Sequence, residues 1–205
     1  MVSEKDILNQ IRKKHLAPTI AMSLVVVFFM TIFIAGLVSS KNTHVLEIVI
    51  ALSLILLVFG SGAFVELYFV LFPQKDIFFR KYGQPSEAAK MVNEAINQAA
   101  IFEDAKMIIT ESCIYAPGVY TSLRRLEDVL MVYDAHIQKG KKDYLDVVLV
   151  DKWGTHQDYY YDLEDRAEVD EAISNILQTC PRAKYGMSPA NQFYLQENIV
   201  ELPKK

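Results

Sequence analysis

The sequence has little of what most catalytic or metal-binding chains carry. It contains two cysteines in 205 residues, Cys113 and Cys180, without the spacing of a zinc site or a disulfide framework, and both are expected to be reduced. Its four histidines are far apart, and none belongs to an HExxH motif. Nucleophile-elbow, Walker and dinucleotide-binding glycine motifs are also missing. The sequence therefore predicts no catalytic residues, no metal ligands and no cofactor.

The sequence also has no excess of basic over acidic residues. The formal net charge is −4, and residues 73–205 carry 16 basic against 21 acidic side chains, a net of −5. A general nucleic-acid-binding protein shows a basic patch or a strongly basic isoelectric point. We therefore do not expect nucleic acid among the partners.

What the sequence does have is two long apolar runs within residues 18–72. A transmembrane helix needs about 20 mostly apolar residues, and both runs reach that length. They are separated by a short polar connection that begins at Ser39 and ends at His44. This pattern predicts a helical hairpin in a lipid bilayer, with an N-terminal segment at 1–17, a juxtamembrane linker at 73–83 and a domain at 84–205.

The distribution of basic residues predicts the orientation of the hairpin. Basic side chains near the end of a transmembrane helix favour the cytoplasmic side. They occur at residues 12–14, before the first run, and at Lys75, Arg80 and Lys81 after the second, whereas the connection has Lys41 alone. We therefore expect a multi-pass protein of the cell membrane with both termini in the cytoplasm.

A cleaved signal peptide is the alternative interpretation of the first run. Val38 and Ser40 resemble the small residues that precede a cleavage point. The apolar core is about 20 residues long, however, whereas the apolar region of a signal peptide has about 7 to 15. The length favours a retained helix.

Glu66 interrupts the second apolar run. An ionisable side chain inside a membrane is costly and often functional. At about 1.5 Å per residue, Glu66 lies roughly 27 Å from Ile48, close to the inner headgroups of a core about 30 Å thick. This depth favours an interfacial anchor. The alternative is a component of a small transporter or channel oligomer that uses Glu66.

Small residues predict where the two helices touch. Thr31, Ala35 and Ser39 repeat every four residues in the first run, and residues 60–63 are all small in the second. Small side chains at such spacing let helices approach closely. The favoured interpretation is contact within the hairpin, and the alternative is the seam of a homo-oligomer.

The region after residue 83 alternates between helical and strand patterns. Pro85 and Glu87 begin an amphipathic helix that is predicted to run to about residue 103. A second helix begins near Glu164 and ends before Pro181, and Ser188 with Pro189 begins a short final helix. Six strands are predicted between the first two helices, at residues 106–110, 113–116, 119–123, 131–138, 145–149 and 155–162.

Two groups of side chains are candidates for contact with a lipid surface or a partner. The first is a basic hairpin tip, which we call the lysine tip: Lys139, Lys141 and Lys142. Anionic lipid attracts such groups by about 1 kcal/mol each. The second group is expected at the opposite end of the sheet, because successive turns of a meander alternate ends: Arg124, Arg125, Lys152 and Trp153.

Several short motifs occur in a familiar order. They are Tyr82-Gly83 with Pro85 and Glu87, the run 126–129 followed by Val132-Tyr133, Asp151-Lys152 with Gly154, and Cys180-Pro181 with Ala183 and Gly186. In this order the chain resembles a group of small, largely uncharacterised bacterial two-pass membrane proteins with a cytoplasmic pleckstrin-homology-like domain. The resemblance implies an antiparallel PH-like sheet or partial barrel capped by a C-terminal helix, a fold that usually has seven strands where the sequence pattern gives about six. It implies a binding or scaffolding module for lipid headgroups or peptides, and no catalytic residues carry over.

Three classes of function remain open from the sequence. A membrane-tethered binding or scaffolding protein, whose partner is a protein, a peptide or a lipid headgroup, is favoured. A transporter or channel component that uses Glu66 is second. An enzyme is third, because its site would have to be assembled by the fold from residues that form no motif.

Overall fold

The computed structural model describes residues 1–39 and 45–203, and it describes the side chains of these residues apart from 36–39, 45, 46, 48 and 52. The chain forms two compact units. The hairpin unit is Glu4–Phe79, and the domain unit is Met1–Ser3 together with Arg80–Lys205.

The hairpin unit contains two long helices, α1 (Glu4–Ser39) and α2 (Val45–Leu71). Both are long enough and apolar enough to cross a membrane. The expectation of two apolar helices is therefore confirmed, while the predicted connection at residues 40–44 lies outside the described part of the chain. Helix α1 begins 14 residues before Pro18, where the first run was expected to start. Proline removes one backbone hydrogen bond from a helix interior without necessarily ending the helix.

Gly62 lies at the contact between the two helices. A Cβ atom added to Gly62 would be 2.9 Å from Sδ of Met22, so the Met22 side chain would have to shift. Thr31 and Ala35, in contrast, are exposed, so their predicted role in the helix contact is wrong, while the side chain of Ser39 is outside the described ones. In an antiparallel hairpin, residues equidistant from the connection face each other, which puts Gly62 opposite Met22 rather than opposite the Thr31 turn.

Two short elements follow α2. Pro73 begins a 3₁₀ turn (Pro73–Lys75), as expected for a proline at a helix end. Helix α3 (Ile77–Tyr82) comes next.

The domain unit continues with α4 (Pro85–Ile96). Its first turn is capped by Glu87, whose Oε2 accepts a hydrogen bond of 2.7 Å from the backbone N–H of Gln84. The predicted extension of this helix to residue 103 is wrong, because residues 100–103 form a strand instead. Their backbone groups pair with the next strand, and this pairing overrides the apolar spacing that resembled a helix.

Two four-stranded sheets follow. The first is antiparallel in the order β1 (Ala100–Glu103), β2 (Ile108–Thr110), β3 (Cys113–Ala116) and β4 (Val119–Arg125). The second has the order β7 (His156–Asp162), β6 (Lys142–Asp151), β5 (Val129–Lys139) and β8 (Lys184–Tyr185). Short 3₁₀ turns precede β5 (Leu126–Asp128) and follow β7 (Leu163–Asp165).

The expected meander of three strands is confirmed, since β5, β6 and β7 pair antiparallel in sequence order. Gly140 adopts φ 66° at the tip between β5 and β6, a conformation that suits glycine. The expected total of six strands is wrong, because the described residues form eight. Strand β1 was assigned to a helix, and β8 has two residues that pair parallel with Met131 and Val132, too few to produce a pattern in the sequence.

Helix α5 (Arg166–Thr179) packs its apolar stripe into the core that the two sheets share. Tyr159 and Tyr161 point into this core, and the intervening Tyr160 stays partly exposed, as strand alternation requires. Helix α6 (Pro189–Asn198) begins as expected, with the Ser188 hydroxyl accepting a hydrogen bond from the backbone N–H of Asn191 at 3.2 Å. The domain is therefore an α+β unit with two sheets and helices at its C-terminal end.

Candidate binding cleft

The domain unit has an open cleft of about 1110 Å³ along helix α4. Helix α4 provides one wall, and the β2–β3 turn, the end of β4 and the segment after α5 provide the others. Its charged lining residues are Glu87, Lys90, Glu94, Glu111, Arg125, Glu127 and Arg182. Apolar groups among the lining residues include Met91, Leu126 and Pro181. A concave site with apolar groups and a charged rim is the usual form of a binding site.

Arg125 is the predicted contact residue that the fold places in this cleft. Its Nε donates to Sδ of Met91 at 3.4 Å, and its Nη1 lies 3.4 Å from Oε1 of Glu127. The guanidinium also lies over the ring of Tyr82, at 5.5 Å from the ring centroid. These contacts hold the Arg125 side chain in place. The side chain is still partly exposed, so it remains accessible to a ligand.

Cys113 lines the same cleft but is not suited to nucleophilic chemistry. Burial raises the pKa of the Cys113 thiol, against the smaller lowering effects of Ser112 and Arg125. A catalytic cysteine requires the opposite shift, because the thiolate is the nucleophile. The Cys113 thiol is therefore not a candidate nucleophile.

Next to the cleft lies a buried ionic cluster, centred on Lys81 and Asp151. The Lys81 ammonium contacts both the Asp151 carboxylate and the Thr155 hydroxyl, and the side chains of Lys81 and Asp151 are each 1% exposed. Burial and the nearby Arg124 lower the pKa of Lys81 to about 8, while Asp151 and Asp128 act in the opposite direction. The pairing is an internal tie that fastens the end of α3 to the β6–β7 turn.

Arg124 belongs to this cluster, so its predicted role in surface contact is wrong. The residue is 8% exposed, and its Nε lies 3.3 Å from Oδ2 of Asp151. Its Nη1 also donates to the carbonyl of Leu123 at 2.9 Å. Alternation along β4 explains the difference between neighbours, since Arg125 points to the opposite side of the strand.

Trp153 stands at the edge of the same cluster. Its ring is flanked by the ammonium groups of Lys152, at 4.7 Å, and of Lys81, at 5.1 Å, and Tyr82 meets it edge-on at 6.0 Å. Lys152 is in turn paired with the buried Asp128 at 2.5 Å. These contacts cover part of the Trp153 ring. The ring area available to a lipid is therefore smaller than the sequence suggested.

The lysine tip lies at the β5–β6 turn, and its three side chains are exposed. The ammonium of Lys139 lies 3.3 Å from the ring centroid of Tyr160, and that of Lys142 lies 3.5 Å from Oδ1 of Asp162. The tip therefore remains a basic surface, partly balanced by its neighbours.

Glu66 lies in the hairpin unit and has partners that sequence reasoning missed. Its Oε2 lies 2.6 Å from Nδ1 of His15, whose Nε2 lies 2.9 Å from Oδ2 of Asp76. His15 is 51 positions from Glu66 and 61 from Asp76, and no motif links the three residues. That the three residues lie on the same side of the hairpin follows only from the register of α1 against α2.

The cleft was missed for a similar reason. Glu87, Lys90 and Glu94 follow one another at helical spacing, so a polar face of α4 was visible in the sequence. Nothing in the sequence indicated that this face is opposed by the ends of β4 and α5.

Comparison of the chain with protein-family models, with curated proteins and with solved structures found no match in any of the three. The functional interpretation therefore depends on the geometry of the chain itself.

Proposed function

We propose that this chain is a membrane-anchored binding protein whose PH-like domain holds a segment of another polypeptide in the cleft along α4. The cleft is the observation that carries the proposal. It is an open concave surface whose apolar groups can receive a partner side chain and whose rim offers hydrogen-bonding partners of both signs.

The charge of the cleft favours a polypeptide over a phosphorylated headgroup. Its charged lining consists of four glutamates and three basic residues, a net of −1. A phosphate ligand would meet more carboxylates than cations there, whereas phosphate sites are built from an excess of arginine, lysine and backbone N–H groups. A polypeptide segment can present both signs along its length.

The anchoring part of the proposal is a hairpin in the cell membrane with both termini in the cytoplasm. It is supported by the two long apolar helices and by the basic residues at 12–14 and near Arg80. The PH-like part is supported by two four-stranded sheets that share one core with a C-terminal helix. No catalysis is proposed.

Site-specific photo-crosslinking in native membranes tests the proposal. A photoreactive residue at Met91, inside the cleft, should give a polypeptide adduct, whereas the same residue at Glu171, on the exposed side of α5, should not. Arg125→Ala should weaken the adduct at position 91 at least about threefold, a loss near 0.7 kcal/mol that is modest for a charged hydrogen bond. Lys106→Ala, an exposed basic residue outside the cleft lining, is the matched control and should leave the adduct unchanged.

Equal yields at positions 91 and 171, or an adduct insensitive to Arg125→Ala, would show that the cleft is not the site. A photoreactive anionic lipid that labels position 91 in place of a polypeptide would favour the headgroup alternative and contradict the proposal.

A further inference from the structure

Three ionisable side chains from separate segments meet within the hairpin unit. His15 is on α1, Glu66 is on α2, and Asp76 lies between the 3₁₀ turn and α3. Nδ1 of His15 lies 2.6 Å from Oε2 of Glu66, and Nε2 lies 2.9 Å from Oδ2 of Asp76. One imidazole ring therefore bridges two carboxyl groups.

The short distances from the two nitrogens of His15 to the carboxyl oxygens require a proton in each of these two contacts. A neutral imidazole has one N–H, so one of its nitrogens would direct a lone pair at a carboxylate oxygen. At such a distance two lone pairs repel each other. An imidazolium has an N–H at both nitrogens and can donate to both carboxylates at once.

We propose that His15 is a proton-binding site, in which the imidazolium bridges Glu66 and Asp76 and ties α1 to α2 and to the segment that follows α2. The ligand is a proton, and the hairpin holds it at neutral pH. The site is independent of the cleft in the domain unit.

The groups around His15 support the charged form of the ring. On α1, Nζ of Lys14 lies 3.3 Å from Oδ2 of Asp76, and on α2 the ring of Phe69 stacks on His15 at a centroid distance of 4.9 Å. With Lys14 and an imidazolium facing two carboxylates, the described cluster has a net charge of zero. A neutral His15 would leave it at −1 next to the Asp76 side chain, which is 4% exposed, and this is unfavourable.

Asp76 keeps its charge in this arrangement. Burial acts to raise the pKa of Asp76, but Lys14, the hydrogen bond with His15 and the backbone N–H of Phe78, at 2.7 Å, together bring it below its ordinary value. Asp76 therefore accepts the Nε2–H bond as a carboxylate, and in the proposed arrangement the second proton is on Nδ1, facing Glu66.

The position of the site favours a structural link between α1 and α2 over a route for protons across the membrane. Glu66 lies near the C-terminal end of α2, and residues 16–35 and 49–65, which make up the rest of the two apolar runs, contain no ionisable side chain. Along these residues a proton bound at His15 has no further carrier. Loss of this proton would remove one of the two bridging hydrogen bonds and weaken the pairing of α1 with α2.

Nitrogen-15 NMR of histidine-labelled full-length protein in lipid nanodiscs tests this proposal. The His15 signals are identified by their loss in His15→Gln. His136 and His156, both exposed, serve as internal references. We expect the nitrogen-15 signals of the His15 ring at pH 7 to show a proton on both ring nitrogens, because each nitrogen faces a carboxyl oxygen within hydrogen-bond distance.

Glu66→Gln should leave only one ring nitrogen of His15 protonated at the same pH, because the amide at position 66 has no charge that would hold the second proton on the ring. Glu47→Gln, the same change near the other end of α2, is the matched control and should leave both ring nitrogens protonated. A wild-type His15 ring with a proton on only one nitrogen at pH 7 would overturn the proposal even if the variants failed to fold.

Discussion

The side-chain amide of Asn93 on α4 holds the backbone of Val2 by two hydrogen bonds. The backbone N–H of Val2 donates to Oδ1 of Asn93 at 2.7 Å, and Nδ2 of Asn93 donates to the carbonyl of Val2 at 2.8 Å. The first residues of the chain thereby belong to the same compact unit as residues 80–205. This pairing bears directly on the topology of the protein.

The first prediction is that Met1 and the C-terminal domain lie on the same, cytoplasmic side of the membrane. Val2 and Asn93 can pair only if an even number of spans separates them, and the basic residues at 12–14 favour the cytoplasm. Reporter fusions at either end should both give a cytoplasmic signal. An extracytoplasmic signal from the C-terminal fusion would contradict the hairpin and would favour cleavage after the first run.

The second prediction concerns the tie between Lys81 and Asp151. Lys81→Met removes one partner of a buried pair and should lower the free energy of unfolding of the domain by about 3 kcal/mol. Arg124 and the Thr155 hydroxyl continue to contact Asp151, so the loss should stay at the lower end of the usual range. Denaturant unfolding followed by the fluorescence of Trp153, the single tryptophan of the chain, measures it.

Lys90→Met is the control for this substitution. Lys90 lies on α4, its side chain is 79% exposed, and its pair with Glu94 spans 3.8 Å. Exposed pairs of this kind contribute less than about 1 kcal/mol. If both variants lowered stability equally, the Lys81 pair would not be the structural tie described above.

The third prediction concerns Asp146 on β6, which is 5% exposed. Burial and the neighbouring Asp158 raise the pKa of Asp146 to about 6, while a backbone N–H of Tyr159 and the charge of Lys139 act the other way. The folded domain therefore binds a proton more tightly than the unfolded chain. Its stability should fall as the pH rises from about 4 to about 6, since the charged carboxylate is disfavoured in the fold.

Asp146→Asn removes this pH dependence, because the amide is neutral throughout. Relative to wild type, the variant should gain on the order of 1 to 3 kcal/mol between pH 4 and pH 7. Parallel unfolding curves at the two pH values, again followed by Trp153, give the difference. Asp158→Asn should give a part of the same gain, and a variant that loses stability toward neutral pH as steeply as wild type would refute the assignment.

The fourth prediction is that the protein conducts no protons by itself. Between Glu66 and Glu47, which lies near the other end of α2, the second run has no ionisable side chain, so a proton bound near His15 has no carrier across this distance. Proteoliposomes with wild type and with Glu66→Gln should show the same background flux. A wild-type flux that disappears in Glu66→Gln would instead favour the transporter alternative.

The sequence determined the parts of this protein that depend on local patterns. Two runs of about 20 apolar residues are sufficient to define α1 and α2, because a bilayer-length helix has a recognisable composition. The alternation and turn residues from 129 to 162 were likewise sufficient for the β5–β6–β7 meander. Ser188 and Pro189 marked the start of α6, because capping is a property of neighbouring residues.

The tertiary structure alone decided which distant side chains meet. The apolar spacing of residues 99–103 matched a helix, but pairing with β2 made residues 100–103 a strand. Arg124 and Arg125 are indistinguishable in the sequence, yet one is buried against Asp151 and the other lines the cleft. His15, Glu66 and Asp76 form a cluster because the register of α1 against α2 brings them together. Such contacts depend on the packing of whole elements, and packing is set by many side chains at once rather than by any local motif.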